Sequence, residues 1–183
     1  LHRDNWESGP AILGLPLVLK QPDSSFSLGV IKAATREEYE REVERLLKVS
    51  DLVIGQGFVP TGFDWRIGVL DREPLFACKY FMAPEHWQIY NNSKKGDDSL
   101  GEFETWPIDA VPPDVLKAGI RVANLIGDGL YGVDIKEVNG KAHVIEVNDN
   151  PNIDAGIEDK ILGEEIYLRV MRVFLKRLES RGR

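Results

Sequence analysis

HVIEVNDNPN, residues 143–152, opens as a β-branched strand, then carries Glu146, Asn148 and Asp149 before Pro151 ends it. Side chains of a strand alternate between faces, so Glu146 and Asn148 point one way and Val147 the other. The partner strand lies just upstream, because GVDIKEVNGKAHVIEVN turns at Asn139-Gly140, a strong hairpin signal. A plain two-residue loop would set Asp134 opposite Ile145. A three-residue loop over 139–141, a turn plus a bulge, sets Asp134 opposite Glu146 and gathers Val133, Ile135, Ile145 and Val147 on the other face. The second register separates acids from apolar side chains and is the one expected. Two carboxylates and a carboxamide oxygen then converge, and crowded carboxylates repel unless a cation lies between them. Hard oxygen donors without His or Cys suit magnesium or manganese. Asp149 has the wrong parity and reads as the cap of the following turn.

Outward from this hairpin, strands and helices alternate in a mixed pattern. LPLVLKQ (15–21) and GVIKAA (29–34) read as two strands across the polar loop PDSSFSLG. TREEYEREVERLLKVS is a helix with Thr35 as N-cap, Glu38 completing a capping box, and Tyr39, Val43, Leu46 and Leu47 on one stripe. LVIGQGFVP is a further strand, and DWRIGVLDREPLFACKYF a hairpin turning near Asp71 and Arg72. The polar stretch 82–107 is longer than an ordinary connection, with Trp87 and Trp106 expected to anchor its ends. PPDVLKAGIRVANLIGDG is a mostly buried helix and IEDKILGEEIYLRVMRVFLKRLES an amphipathic one, with an interruption expected near Gly163. Hairpins between helices imply an α+β fold whose antiparallel sheets are covered on one face.

At 183 residues and 43% hydrophobic, the chain can bury one sizeable core or two small lobes. No apolar run approaches the roughly 18 residues that span a membrane. LHRDNWESGP lacks the features of a signal peptide and begins without Met, so a fragment or processed chain is expected. The single Cys78 excludes an intramolecular disulfide and a cysteine zinc cluster, which fits the reducing cytoplasm. A net charge of −7 weighs against nucleic acid as a partner, though one nucleotide needs only a few local cations. GDGLYG (127–132) matches G-x-G-x-x-G, but it follows a helix and precedes a strand, the reverse of a dinucleotide fingerprint. His86 and Cys78 have no nameable base or orienting partner and read as structural. Lys20, in an apolar strand directly before a small-residue loop, is better explained by phosphate contact, with Ser24, Ser25 and Ser27 closing over the charge.

VLKQPDSSFSLGV, VIGQGFVPTGFDWRIGVL and GVDIKEVNGKAHVIEVNDNPN resemble, in order and spacing, the ATP-grasp carboxylate–amine ligases, and above all their RimK-type, glutamate ligase-like branch. The resemblance runs from about Leu13 to the C-terminal helix. It implies the ATP-grasp fold, two α+β lobes with antiparallel sheets clasping ATP: a small lobe over 1–60 and a large lobe over 61–183, the family's upstream domain lying before Leu1. Asp134, Glu146 and Asn148 would then bind two magnesium or manganese ions bridging the ATP phosphates. Lys20 would contact the α- and β-phosphates, with the loop that holds Ser24, Ser25, Ser27 and Gly29 closing over them. Gln56, Gly57, Phe58 and Val59 would form the hinge that reads adenine, Asp64 would meet the ribose, and Arg66 would stabilise the transferring γ-phosphate. Lys79 is a further phosphate candidate. The chain departs from the family in carrying Gly57 where a Glu is usual, a Ser-rich loop with Gly29 alone, and no Arg-rich pattern over 83–106. The implied activity is ATP-dependent amide formation through an acyl phosphate, joining a carboxylate (a small molecule or a protein C-terminus) to an amino-acid amine. A phosphotransferase, or a non-catalytic nucleotide-binding domain, could be built on the same hairpin. Neither nucleic acid nor membrane is expected as a partner, and a homo-oligomer stays open.

Overall fold

Leu17 and Leu19 alternate with Val18 and Lys20, and this two-residue period places β1 (Leu17–Lys20) at the centre of a three-stranded antiparallel sheet. Its neighbours are β2 (Ile31–Ala33) and β3 (Ile54–Gly57), with a short helix α1 (Gly9–Leu13) ahead of them. The computed structural model describes residues 1–22, 29–91 and 93–181, and the chain divides into two units, Leu1–Pro60 and Thr61–Arg183.

In the first unit α2 (Arg36–Leu46) lays Tyr39, Val43 and Leu46 on Leu17, Leu19 and Ala33, all essentially inaccessible to water. The capping box is formed as the sequence implied: Thr35 Oγ1 accepts from the Glu38 amide at 3.2 Å, and Glu38 Oε2 accepts from the Thr35 amide at 3.4 Å. Thr35→Ala should therefore cost about 1 kcal/mol, read as a lowered urea midpoint at unchanged slope. An unshifted midpoint would remove the cap from the list of stabilising contacts.

The second unit is a five-stranded antiparallel sheet in the order β6-β5-β4-β7-β8. Its strands are β4 (Phe63–Leu70), β5 (Glu73–Phe81), β6 (Phe103–Trp106), β7 (Leu130–Val138) and β8 (Lys141–Asn148), and its helices are α3 (Pro113–Ile126) and α4 (Glu164–Arg181). β4 and β5 turn through Asp71 and Arg72, both left-handed, with φ of 50° and 74°, the mirror-image turn that suits twisted strands. One face of the sheet buries Trp65, Ile67, Ala77, Val133 and Ile135 against Val115 and Ala123 of α3. Gly119 permits that approach, since a Cβ there would lie 3.0 Å from Ile67 Cβ. On the other face, Phe76, Cys78 and Tyr80 are covered by Ile166 of α4 and by Ile153, Ile157 and Leu162. Towards β7 and β8 that second face is polar.

Three expectations need correction. The stretch 82–107 is not one irregular connection, because it contains β6, paired with β5 from Ala77–Trp106 to Tyr80–Phe103, and a bridge between Tyr90 and Leu100. The interruption expected near Gly163 is present, with a φ of 56° there, but the residues before it are not helical, so α4 is shorter than its amphipathic signal. The β7–β8 hairpin reaches its register by another route. Its turn is the plain two-residue one, with Asn139 and Gly140 left-handed and Val138 paired with Lys141. A bulge then skips Ile145, so that Ile135 pairs with Val144 but Asp134 with Glu146. The expected pairing is present; the extra residue is Ile145, not a third turn residue at 141. Among the described residues no helix is long and apolar enough to cross a membrane.

Candidate functional site

The polar face of the larger sheet is built by parity. Arg66 pairs with Asp134, Asp134 with Glu146, and Gly132 with Asn148, so these side chains rise from three adjacent strands on one side. Gly132 lets Pro151 pack close to the sheet there, for a Cβ would lie only 2.8 Å from Pro151 Cβ. The structure thus brings together Asp134, Glu146 and Asn148, as expected, and adds Arg66 to them.

Arg66 grips Asp134 with two hydrogen bonds, Nε to Oδ1 at 2.8 Å and Nη2 to Oδ2 at 2.9 Å, and both side chains are mostly buried. Burial works against the guanidinium charge, but the adjacent Asp134 carboxylate outweighs it and holds Arg66 still more firmly protonated than usual. A bidentate pair fixes geometry as well as charge. Nη1 of Arg66 donates to Asn152 Oδ1 at 3.3 Å, and Asn148 Nδ2 lies 3.5 Å from Asp134 Oδ2. The guanidinium lies 5.1 Å from the centroid of the Tyr80 ring.

Among the described residues no three His, Cys, Asp or Glu side chains are gathered so as to hold a metal ion. The donor set is instead two carboxylates and an amide. That fits magnesium, which needs only one or two carboxylates when phosphate and water oxygens complete its shell. Asp134 Oδ1, which accepts from Arg66 Nε, keeps a second lone pair for a cation, whereas Oδ2 is met by both Arg66 Nη2 and Asn148 Nδ2.

Asp64 lies one turn of the pleat along β4, on the same face as Arg66. Lys136 donates to it at 2.5 Å and Thr61 at 3.1 Å, while Lys136 also donates to Thr61 at 2.8 Å. Burial lifts the Asp64 carboxyl above its ordinary range against the pull of Lys136. Lys136 was not singled out from the sequence; its parity with Asp134 was the available signal.

Lys79 does not join this group. It pairs with Trp65, not with Arg66, and so stands on the opposite face of the sheet. Its ammonium lies 4.5, 4.7 and 3.9 Å from the ring centroids of Phe63, Trp65 and Trp106, a cation–π cage that explains why a lysine is tolerated there. The phosphate role expected of Lys79 is not carried forward.

In the first unit Lys20 ends β1 on the face turned away from α2. Val18 pairs with both Lys32 and Gln56, so Lys20, Lys32 and Gln56 share that face. Lys32, missed from the sequence, lies 4.7 Å from the Phe58 ring centroid. The Phe58 amide donates to Pro16 O at 3.1 Å, fixing the chain as it leaves β3 towards Val59. Gln56 and Gly57 lie on an edge strand, where alternate backbone groups point away from the ladder. Gly29 has a left-handed φ of 72°. Ser24, Ser25 and Ser27 lie outside the described residues.

Cys78 is fully buried, and burial pushes its thiol up to about 12. It should therefore resist maleimide at pH 8 until the protein is denatured, because the thiolate is the reactive form. Stoichiometric labelling of the folded protein would contradict this.

Comparison with solved structures defines the fold. D-alanine–D-alanine ligase from Bacillus anthracis superimposes over all of this chain and 62% of its own, with a TM-score of 0.76 at 18% identity. An ATP-grasp RimK domain protein from Sphaerobacter thermophilus matches 92% of this chain and 54% of its own, with a TM-score of 0.58 at 19% identity. The ATP-grasp ligase PsnB, solved with a precursor, Mg and ADP, covers 88% of this chain with a TM-score of 0.57. The chain has the ATP-grasp fold. In sequence it is related to proteins named probable alpha-L-glutamate ligase: 27% identical over 172 residues to that of Nitrosococcus oceani, and 28% over 149 residues to that of Alcanivorax borkumensis. These alignments take in 93% and 80% of this chain but 53% and 46% of the relatives, so the chain spans about half their length. No family model matches it.

Proposed function

We propose that this chain is the ATP-binding and metal-binding part of an ATP-dependent carboxylate–amine ligase of the RimK-like, glutamate ligase type. The observation that carries the reading is the convergence of Arg66, Asp134, Glu146 and Asn148 on one sheet face, in a chain whose sequence relatives are named as such ligases. Asp134, Glu146 and Asn148 would hold the magnesium, or manganese, of the nucleotide, two ions in the proposal. The metal supplies charge neutralisation at the phosphates. Arg66, already fixed by Asp134, would face the γ-phosphate and stabilise the charge that spreads over it during transfer. Lys20 is proposed for the α- and β-phosphates, the loop with Ser24, Ser25, Ser27 and Gly29 for enclosing them, Gln56 to Val59 for adenine, and Asp64, oriented by Lys136, for the ribose.

In the reaction, a substrate carboxylate oxygen attacks the γ-phosphorus, ADP leaves, and an acyl phosphate forms. An amino-acid amine then attacks the acyl carbon, and the amide forms as phosphate and a proton depart. No nucleophilic side chain is needed, which agrees with the inert environment of Cys78. The test is steady-state phosphate release with Mg-ATP and a panel of amino acids and carboxylates, on this chain and on any longer protein that contains it. Amine-dependent release supports the ligase. ADP formation without free phosphate would instead mark a phosphotransferase, and nucleotide binding without turnover in either protein a non-catalytic domain.

A further inference from the structure

Glu158 is the most deeply buried carboxylate among the described residues, 1% exposed, and nothing in the proposed chemistry uses it. Burying an ionised carboxylate is costly unless its oxygens are hydrogen-bonded. Both are. Oε1 accepts from the Tyr80 hydroxyl, and Oε2 accepts from the Asp154 amide at 2.8 Å. Tyr80 is itself 8% exposed, and its ring is the one that lies 5.1 Å from the Arg66 guanidinium. The Asp154 amide belongs to the segment that follows β8, and two residues earlier Asn152 accepts from Arg66 Nη1. Asn152 Nδ2 in turn donates to Asp154 Oδ2 at 2.5 Å. One carboxylate therefore ties down two supports of Arg66 besides Asp134: the ring at its flank and the loop at its outer nitrogen.

We propose that Glu158 and Tyr80 are positioning residues, which hold the Arg66 guanidinium in the plane that grips Asp134 and so set the geometry of the metal and phosphate face. The importance of this for catalysis rests on the ligase reading; the positioning itself does not. A guanidinium has several torsions to fix, and its two bonds to Asp134 leave the plane free to tilt with that carboxylate. Ring and loop remove the tilt, and supporting contacts of this kind typically alter metal affinity or activity by about 10–100-fold when removed.

The test separates the two levels. In protein labelled with 15N-arginine, the Arg66 Nε–H signal, assigned by its loss in Arg66→Lys, should be a slowly exchanging resonance in the absence of any nucleotide. Tyr80→Leu, which removes ring and hydroxyl, and Glu158→Gln, which replaces one of the two acceptor oxygens by an amide donor, should broaden it or speed its exchange. Tyr80→Phe, which keeps the ring, should be intermediate. An Arg66 signal unchanged in both Tyr80→Leu and Glu158→Gln, with the variants folded by far-UV circular dichroism, would overturn the proposal. Calorimetric titration with Mg-ADP, well below every variant's melting temperature, should then show affinity reduced about 10-fold or more in Tyr80→Leu. Equal affinities of wild type and Tyr80→Leu would overturn the link from Arg66 geometry to the metal face. A wild type that shows the Arg66 signal but binds no Mg-ADP would count against the ligase reading and not against the positioning. Should Glu158→Gln fail to fold, the pair Tyr80→Phe and Tyr80→Leu carries the test alone.

Discussion

Under the proposed ligase function, Asp134→Asn is expected to reduce nucleotide-dependent turnover by at least about 100-fold, the scale seen when a preorganised electrostatic group is removed. The substitution keeps the shape of the side chain and removes its charge. It acts twice, since Asp134 is both a proposed metal ligand and the partner of Arg66. Arg66 would stay buried with its positive charge and no carboxylate opposite it. Removing one member of a buried ion pair costs about 3 kcal/mol, because the survivor remains desolvated. Chemical denaturation should show that loss even where no nucleotide is present. Retained turnover would remove Asp134 from the metal site, and unchanged stability would mean that the Arg66 charge finds water easily.

Trp65→Ala should be the most damaging core change in the second unit. Trp65 is 1% exposed and meets Trp106 edge-on at 5.3 Å and Phe63 at 5.8 Å between ring centroids. Its indole N–H donates to Glu137 Oε2 at 3.1 Å, and its ring forms one wall of the Lys79 cage. Truncating a buried tryptophan costs about 3–5 kcal/mol through lost burial and the cavity left behind. Here the lysine would also lose a ring that stabilises its ammonium. A midpoint in urea lowered by less than about 1 kcal/mol equivalent would show that the site collapses around the smaller side chain.

Local chemistry made part of this legible in the sequence. The Thr35–Glu38 cap needs only four residues to specify it, and the positions of the turns near Asp71–Arg72 and Asn139–Gly140 are marked by their own residues, although the two-residue form of the second was not foreseen. The pairing of Asp134 with Glu146 followed from keeping acids and apolar groups on opposite faces, although the bulge that achieves it did not. A bulge can sit anywhere along a ladder, and nothing in 141–145 marks Ile145 as the residue to be skipped. The same difficulty left the register of Lys79 open in the sequence. Two-residue turn geometry alone would pair Arg66 with Ala77 and leave Lys79 on the side of Arg66. The irregularity between Gly68 and Val69 shifts the ladder by one, pairing Arg66 with Cys78 and Lys79 with Trp65. The Arg66–Asp134 grip was hidden for another reason: it depends on β4 lying beside β7, a neighbour 68 residues away in sequence. Glu158 likewise looks like one more acid in a charged stretch until the fold buries it.

The bulge at Ile145 also gives the β7–β8 hairpin one residue of slack. Below it the ladder is regular from Val138–Lys141 to Ile135–Val144, and above it regular again from Asp134–Glu146. Deleting any single residue between 141 and 145 would let the bulge close, and Glu146 would still arrive opposite Asp134. Adding one residue has no such reserve, for a one-step slip sends Glu146 and Asn148 into the apolar layer under α3. Length variation in this arm should therefore be lopsided, with shortening by one residue compatible with nucleotide binding and lengthening by one not.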